Sequence, residues 1–530
     1  MQDHEPAQAS AAGSPAVGLH QRRGLLLGLG LAAGMEFFTF EAMNLVLVDL
    51  AGTLGVSLDQ ASWLLTIYSS TIFLGVPVCI WLACYLGYKR YLIGTTALFA
   101  IASLGCMFSP DLQTMLVCRA IQGFAGAGLY VWWRAAIYVV LPKSERSSSM
   151  MRVSCMLFLS SAAGLLLGGI LTDRLGWRLI FLPAIPYAAG ALWLLSRHFP
   201  SSVPQASDRP VGTDWPGVTI LVVALVSLQI VLNRGAIDDW LASPEIRQLG
   251  WVAVSALIGF LWWQTSPRNR APLLRLELLR DRHVVSSASI GIFTGIIFSG
   301  SLFVLPEFLR HDAVPTLNAT QTGEVMCIYA LSAAAIRVAA VEVIARIGQR
   351  KTIVIAILSL IACMLALSRL LTTNTPEMAY ALPLLLYACC IATLLPAVGS
   401  GTVAKIEQHK LLDGVSLYMT FRQFGAALGV ALLTALREGR ESLHSSRLFE
   451  HLHATSGTTF HWLEQSTALA VRRSGLSLHD GGSVAVALLR QVGLRQAETL
   501  ATADAFLFMT CVGVLALCLV PIVPPTPPAK

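Results

Sequence analysis

Apolar positions in this chain come in unbroken runs, and many of them reach the roughly 20 residues a helix needs to cross a bilayer. Fourteen runs qualify, at roughly 25–48, 61–83, 91–109, 114–138, 150–172, 179–197, 217–233, 249–265, 285–306, 323–344, 352–371, 378–402, 414–436 and 505–523. Each is hydrophobic around its whole circumference, as a segment facing lipid or other helices must be. The expected fold class is therefore an all-α integral membrane protein.

The polar stretches between the runs set the organisation. Residues 1–24 read as a tail, 25–198 as a six-helix bundle and 199–284 as linkers around an extra helix pair, the seventh and eighth. Helices nine to thirteen follow over 285–436, then a large loop over 437–504, and the last helix with its tail over 505–530. With the N-terminus inside, more than half of the 37 basic residues fall in cytoplasmic segments. Only Arg174, Arg178, Arg234, Arg247 and Arg310 fall in short outer loops, the asymmetry that retained positive charge produces. An even number of crossings then places both termini in the cytoplasm and the 437–504 loop outside.

Composition agrees. The chain is 55% apolar and 13% charged, against about 25% charged in an ordinary soluble domain. Its net charge of +7 is spread over many loops, which orients a membrane protein and makes no nucleic-acid surface. All eleven cysteines lie in or at the ends of apolar runs and read as small core residues. His444, His451, His453 and His461 in the 437–504 loop lack a cysteine or clustered carboxylates, so no metal site is expected. That loop has helical apolar spacing in RESLHSSRLFEHLH and SVAVALLRQVGLRQAETLATADAF, enough for at least two amphipathic helices. The second linker, Ser266 to His283, carries five arginines and suits an amphipathic helix on the inner leaflet or a solvated connection.

Several residues contradict their apolar surroundings. Glu36, Glu41, Arg119, Arg134, Arg337, Glu342, Arg369 and Arg422 all fall in predicted spans, where a charged residue costs ~2.5 to 3.5 kcal/mol on insertion scales. Such residues usually face a shared cavity, and an acid whose exposure alternates can take up and release a proton. Glu36 and Glu41 lie about 140° apart on a helical wheel of 100° per residue, so they are expected not to face one cavity together. Glu41 falls within about 60° of Asn44 on the same wheel and is the favoured cavity residue.

Motifs add specificity. RAIQG sets Arg119, Gln122 and Gly123 in the fourth span, and GLLLGG sets Gly164, Gly168 and Gly169 in the fifth, before the Trp177-Arg178 turn and Phe181. WLACYLGYKR carries Gly87, Lys89 and Arg90, and is echoed by ARIGQRK (Ala345 to Lys351) in the corresponding loop of the second half. FRQFGAALGVAL carries Gly425 and Gly429 in the thirteenth span. On these residues the chain resembles the major facilitator superfamily, and within it the fourteen-helix drug:proton antiporter branch of the EmrB/QacA type.

The resemblance implies the major facilitator fold, with two six-helix bundles plus two extra helices and a substrate site near the midplane between them. It implies proton-coupled efflux of a small organic molecule across the bacterial inner membrane by alternating access, without a cofactor. The long outer loop resembles that of exporters that work with a periplasmic adaptor and an outer-membrane channel. Membrane lipid, protons and a small-molecule substrate are the remaining partners, and no enzyme motif or nucleotide loop is found.

Departures from the family pattern are specific. Thr39 stands where the first helix usually has its acid, leaving Glu41 and Glu36, with Arg119, as proton-coupling candidates. Leu165 replaces a proline and Cys84 an aspartate. Trp132, Trp133 and Arg134 replace small or polar residues, and Tyr329 and Tyr387 stand near positions that often hold arginine. Thr39, Asn44, Gln122, Trp132, Trp133, Arg134, Tyr329, Arg337, Tyr387 and Arg422 are the expected cavity residues. Aromatic walls and altered charge also fit a dedicated exporter of an endogenous metabolite or siderophore, with the arginines pairing with an anion. A membrane sensor that keeps the fold and has lost transport is the further alternative.

Overall fold

The computed structural model describes residues 19–200, 214–235, 240–311, 315–403, 406, 410–450, 457–475 and 477–523. The start of the tail, most of the first linker, and His451 and His453 lie outside the described residues.

Fifteen α-helices are present among them. The first half comprises α1 (Leu19–Leu54), α2 (Leu58–Leu86), α3 (Tyr88–Met107), α4 (Leu112–Val140), α5 (Lys143–Leu175) and α6 (Ala184–His198). The extra pair is α7 (Trp215–Arg234) and α8 (Pro244–Thr265). The second half comprises α9 (Arg282–His311), α10 (Ala319–Ile347), α11 (Gln349–Leu370), α12 (Ala381–Val403), α13 (Leu411–Glu450), α14 (Gly457–Ser474) and α15 (Leu478–Leu519). Fourteen helical spans are long and apolar enough to cross a membrane, and α14 is the helix that is not among them.

The two halves repeat the same local chemistry. α2 opens on a capping box, Ser57 with Gln60, and α10 opens on another, Asn318 with Gln321, each satisfying two orphan backbone donors. The turn from α2 to α3 passes through Gly87 at φ +86°, and the turn from α10 to α11 through Gly348 at φ +89°. A side chain is strained at such angles, which explains the glycine in each copy of the loop motif. Glycines also bring equivalent helices together. A Cβ on Gly164 of α5 would lie 2.4 Å from the Phe38 carbonyl oxygen of α1, and one on Gly425 of α13 would lie 2.1 Å from that of Ile292 on α9.

The halves meet along α5 with α10 and α2 with α13. At the end of the molecule remote from the start of α1, this seam is closed. A Cβ on Gly169 would lie 2.5 Å from the Ala319 carbonyl oxygen. Asp173 accepts bonds from the Ala319 and Thr320 amides, at 3.3 and 2.8 Å, and from the Thr320 hydroxyl at 2.6 Å, setting a negative charge at the N-terminus of α10 where the helix dipole favours it. Arg310 of α9 forms an ion pair with Asp49 of α1 across the same end.

The extra pair sits against α2 and α13. Phe73, Leu221, Leu225, Phe260, Leu274 and Leu417 form a separate apolar cluster there. Asp214 ties the pair together by accepting from the Gly217 amide, Trp263 Nε1, Gln264 Nε2 and Asn269 Nδ2 at 2.6 to 2.8 Å. The second linker is a largely solvated connection and not a long amphipathic helix, with Arg268, Arg270, Arg280 and Arg282 exposed. Pro267 and Pro272 interrupt it, a short 3-10 turn covers Leu276–Arg280, and Leu273 and Leu274 are buried.

The 437–504 segment also differs from a loop. α13 continues to Glu450, and α15 begins at Leu478 and runs unbroken into the membrane span. At 1.5 Å per residue, the part of α15 before residue 505 is about 40 Å long. His444 and Arg440 on α13 reach Asp504 on α15 at 2.9 and 3.4 Å, and α14 packs on α15.

Candidate functional site

A cavity of about 560 Å³ lies between the halves. α1, α2, α4 and α5 line it from one side and α9, α10, α12 and α13 from the other. Its wall includes Lys143 and Arg146 at the start of α5 and Ile344 and Ala345 near the end of α10. These helix ends lie on the side where α1 starts, so the cavity extends toward that side and away from the closed seam.

Both first-helix acids contribute to the wall, contrary to the wheel argument that set them apart. The cavity embraces α1 widely enough to take groups from both of its flanks. Each carboxylate is bonded to a tyrosine instead of an arginine. Tyr68 of α2, in the same half, donates to Glu36 at 3.1 Å. Tyr329 of α10, in the opposite half, donates to Glu41. A buried tyrosine hydroxyl needs such an acceptor.

Arg119 does not line the cavity. It is fully buried one layer behind, with its guanidinium carbon 4.1 Å from the centre of the Tyr68 ring. It donates to Gln122 at 2.6 Å, and Gln122 donates to Ser103 at 2.8 Å. The RxxQG residues thus support the ring of the tyrosine that holds Glu36. Gly123 makes the approach of α2 feasible, since a Cβ there would lie 2.5 Å from the Tyr68 carbonyl oxygen.

Among the other expected residues, Trp133, Arg134, Tyr329, Arg337 and Arg422 line the cavity. Arg134 stacks on Trp133 with its guanidinium carbon 4.1 Å from the ring centre, and Arg422 donates to the Tyr130 hydroxyl. Thr39, Asn44, Gln122, Trp132 and Tyr387 stand outside the wall. Thr39 bonds back to the Met35 carbonyl at 2.9 Å. Trp132 packs into Tyr88 and Tyr91, and Tyr387 packs edge-on against Phe298 and Tyr329 behind the lining. Glu342 pairs with Arg346 on an exposed helix face and Arg369 is exposed near the end of α11, so neither charge belongs to the cavity.

Sequence reasoning passed over Tyr68, Tyr130 and Tyr418, and over Asp49 and Asp173 at the closed end. The tyrosines carried a usable signal, a hydroxyl inside an apolar span that has to find a partner. The aspartates sit at span ends and look like ordinary loop charges until the halves are assembled.

Comparison with known proteins agrees with this architecture. The chain is 24% identical to the multidrug export protein EmrB of Haemophilus influenzae over 433 residues, covering 81% of this chain and 83% of that one. It is 26% identical to the fatty acid resistance protein FarB of Neisseria gonorrhoeae over 466 residues, covering 87% and 88%. A crystal structure of a D-xylose-proton symporter superimposes with a TM-score of 0.58 at 14% identity, covering 95% of this chain and 98% of that one, a likeness of fold alone. Residues 29–430 match the family model described as Major Facilitator Superfamily, and with two repeated halves around a central cavity the chain belongs to that superfamily.

Proposed function

We propose that this protein is a secondary active efflux transporter that exports a small lipophilic organic molecule across the inner membrane in exchange for protons. Relatives named for multidrug export and fatty acid resistance, aligned over four fifths or more of their length, support export as the direction of transport. The observation that carries the coupling is the placement of two acids in one cavity wall, with Glu36 bonded within its own half and Glu41 bonded to the other. Glu41 cannot keep Tyr329 when the halves rock apart, so its proton affinity changes with the conformation. Glu36 keeps Tyr68 and acts as the second carrier.

With both termini in the cytoplasm, the orientation that the distribution of basic loop residues supports, the cavity reaches the cytoplasmic side and the closed seam faces outward. Substrate then enters from the cell interior and leaves after the outer contacts part. The extended ends of α13 and α15, with α14, project on the outer side and expose Phe460, Trp462, Leu469 and Val486. Exposed apolar helix faces outside a membrane favour a protein partner, here a periplasmic adaptor leading to an outer-membrane channel.

A dedicated exporter of one endogenous metabolite or siderophore is the second reading, favoured by the concentration of arginine and tyrosine in the wall. Untargeted comparison of exported and retained small molecules, in cells with and without the protein, distinguishes the two. Many unrelated lipophilic compounds indicate the multidrug reading, and a single endogenous compound indicates the dedicated one. No difference between the cells would contradict both.

A further inference from the structure

The cavity wall is unbalanced in charge. Five cations, Arg134, Lys143, Arg146, Arg337 and Arg422, share it with two carboxylates, Glu36 and Glu41. Both carboxylates are already engaged by tyrosines. Among the described residues, Arg134, Arg337 and Arg422 have no carboxylate within ion-pair distance. Arg422 does act electrostatically on Glu36. The titratable groups acting on Arg134 are Tyr130, Tyr138, Tyr418 and Arg422, and those acting on Arg337 are Cys155 and Arg134.

Unused donors sit in the same wall. Arg134 Nη1, Arg337 Nη1, Arg422 Nε and Trp133 Nε1 are buried and have no hydrogen-bond partner. Arg337 is 5% exposed. Arg134 and Arg422 approach opposite sides of the domain seam through one ring, with guanidinium carbons 5.9 and 5.3 Å from the centre of Tyr130. Buried arginines ordinarily hold a carboxylate, and like charges gathered without one repel until an anion comes between them. A planar guanidinium fork also matches a carboxylate, sulfonate or phosphonate in a two-point contact. Beside this cationic region the wall is apolar, formed by Phe37, Phe40, Phe298, Leu302 and Phe303.

We infer that the cargo is an amphiphilic organic anion, its acidic headgroup held by Arg134 of the first half with Arg337 and Arg422 of the second, and its apolar body laid against the phenylalanines. The inference rests on the reading of this cavity as the transport site. Lys143 and Arg146, at the cytoplasmic mouth in that reading, concentrate anions there before they reach the deeper arginines. A headgroup bound by arginines of both halves bridges the seam, so its arrival and departure bear directly on their rocking.

Three probes that share one naphthalene body test this: naphthalene-2-carboxylate, the neutral naphthalene-2-carboxamide and the naphthalen-2-yl trimethylammonium cation. Binding to the full-length protein in lipid nanodiscs is read by calorimetry. The carboxylate is expected to bind about tenfold or more tightly than the other two, the size of one or two charge-assisted contacts. Arg134→Ala and Arg337→Ala are each expected to remove that advantage while leaving carboxamide binding in place, which also reports that the cavity is still formed. Arg134→Lys should restore part of it. Equal or tighter binding of the cation, or an unchanged preference in the Arg134→Ala/Arg337→Ala double variant, would overturn the inference. Proton coupling is measured separately, with Glu36→Gln and Glu41→Gln in liposomes, so a failure of the transport reading would leave the anion preference intact and recognisable.

Discussion

The Tyr329 hydroxyl on α10 donates to the Glu41 carboxylate on α1, joining the two halves inside the cavity. Glu36, five residues earlier on the same helix, takes its bond from Tyr68 without crossing the seam. The two acids therefore differ in what conformational change does to them.

Tyr329→Phe removes the cross-seam bond and leaves the carboxylate in place. A neutral hydrogen bond contributes about 0.5–1.5 kcal/mol and one to a charged group about 1.5–3 kcal/mol. Transport measured against external pH should therefore shift its midpoint in Tyr329→Phe, with a smaller effect on maximal rate. Tyr68→Phe takes the Glu36 bond away in both conformations while keeping the ring that carries the Arg119 guanidinium, so it should shift the midpoint less. Equal pH profiles for both variants and the parent would remove the proposed division between the acids.

At the closed end remote from the start of α1, Asp173 and Arg310 hold the seam through contacts that have to break if that end is to open. Asp173→Asn weakens a charged acceptor of three bonds, a loss of about 1–3 kcal/mol, enough to shift a two-state population by roughly tenfold. Spin labels at Thr53 and Thr316, on the two halves at this closed end, should report a longer distance in a larger fraction of Asp173→Asn molecules. An unchanged distance distribution would mean that Asp173 does not hold the seam.

Two glycines of similar tightness should separate stability from conformation. Gly425 packs against Ile292 within one half, whereas Gly169 packs against Ala319 across the seam. Gly425→Ala overfills a permanent contact at a cost of about 1–3 kcal/mol, and should lower the melting midpoint. Gly169→Ala should leave the melting midpoint nearly unchanged and favour the state with this end open, read by the same spin labels. Loss of stability in both would make the α5–α10 contact a fixed one.

The spans, their number and the repeat were legible because hydrocarbon allows so few solutions: long apolar runs must be helices, and a glycine at positive φ left its mark as Gly87 and again as Gly348. Arg134, Arg337 and Arg422 were also legible, since a charge in an apolar run needs a reason. Arg119 satisfied the same rule for a different reason, as a support behind Tyr68. Trp132 and Trp133 are adjacent in sequence but face a packed helix interface and the cavity respectively, a distinction that depends on how α4 is turned. The helical wheel failed for Glu36 and Glu41 because it treats a cavity as a plane, and a chamber wrapped around α1 reaches both flanks. The 437–504 segment was hard to read for another reason. Its amphipathic periodicity was visible, but the continuity of α13 and α15 across the membrane boundary leaves no break in sequence to mark it.

In the proposed mechanism, protons moving through Glu36 and Glu41 drive export. Its most direct test is efflux of a compound identified by the cellular comparison from proteoliposomes with an imposed pH gradient, using the parent protein, each Gln substitution and the pair. The parent is expected to transport in response to the gradient, Glu41→Gln to lose about tenfold or more, the scale of one lost charged contact, and Glu36→Gln/Glu41→Gln to show no response to the gradient while still binding the compound. Gradient-driven transport at the parent rate in that double variant would contradict that mechanism.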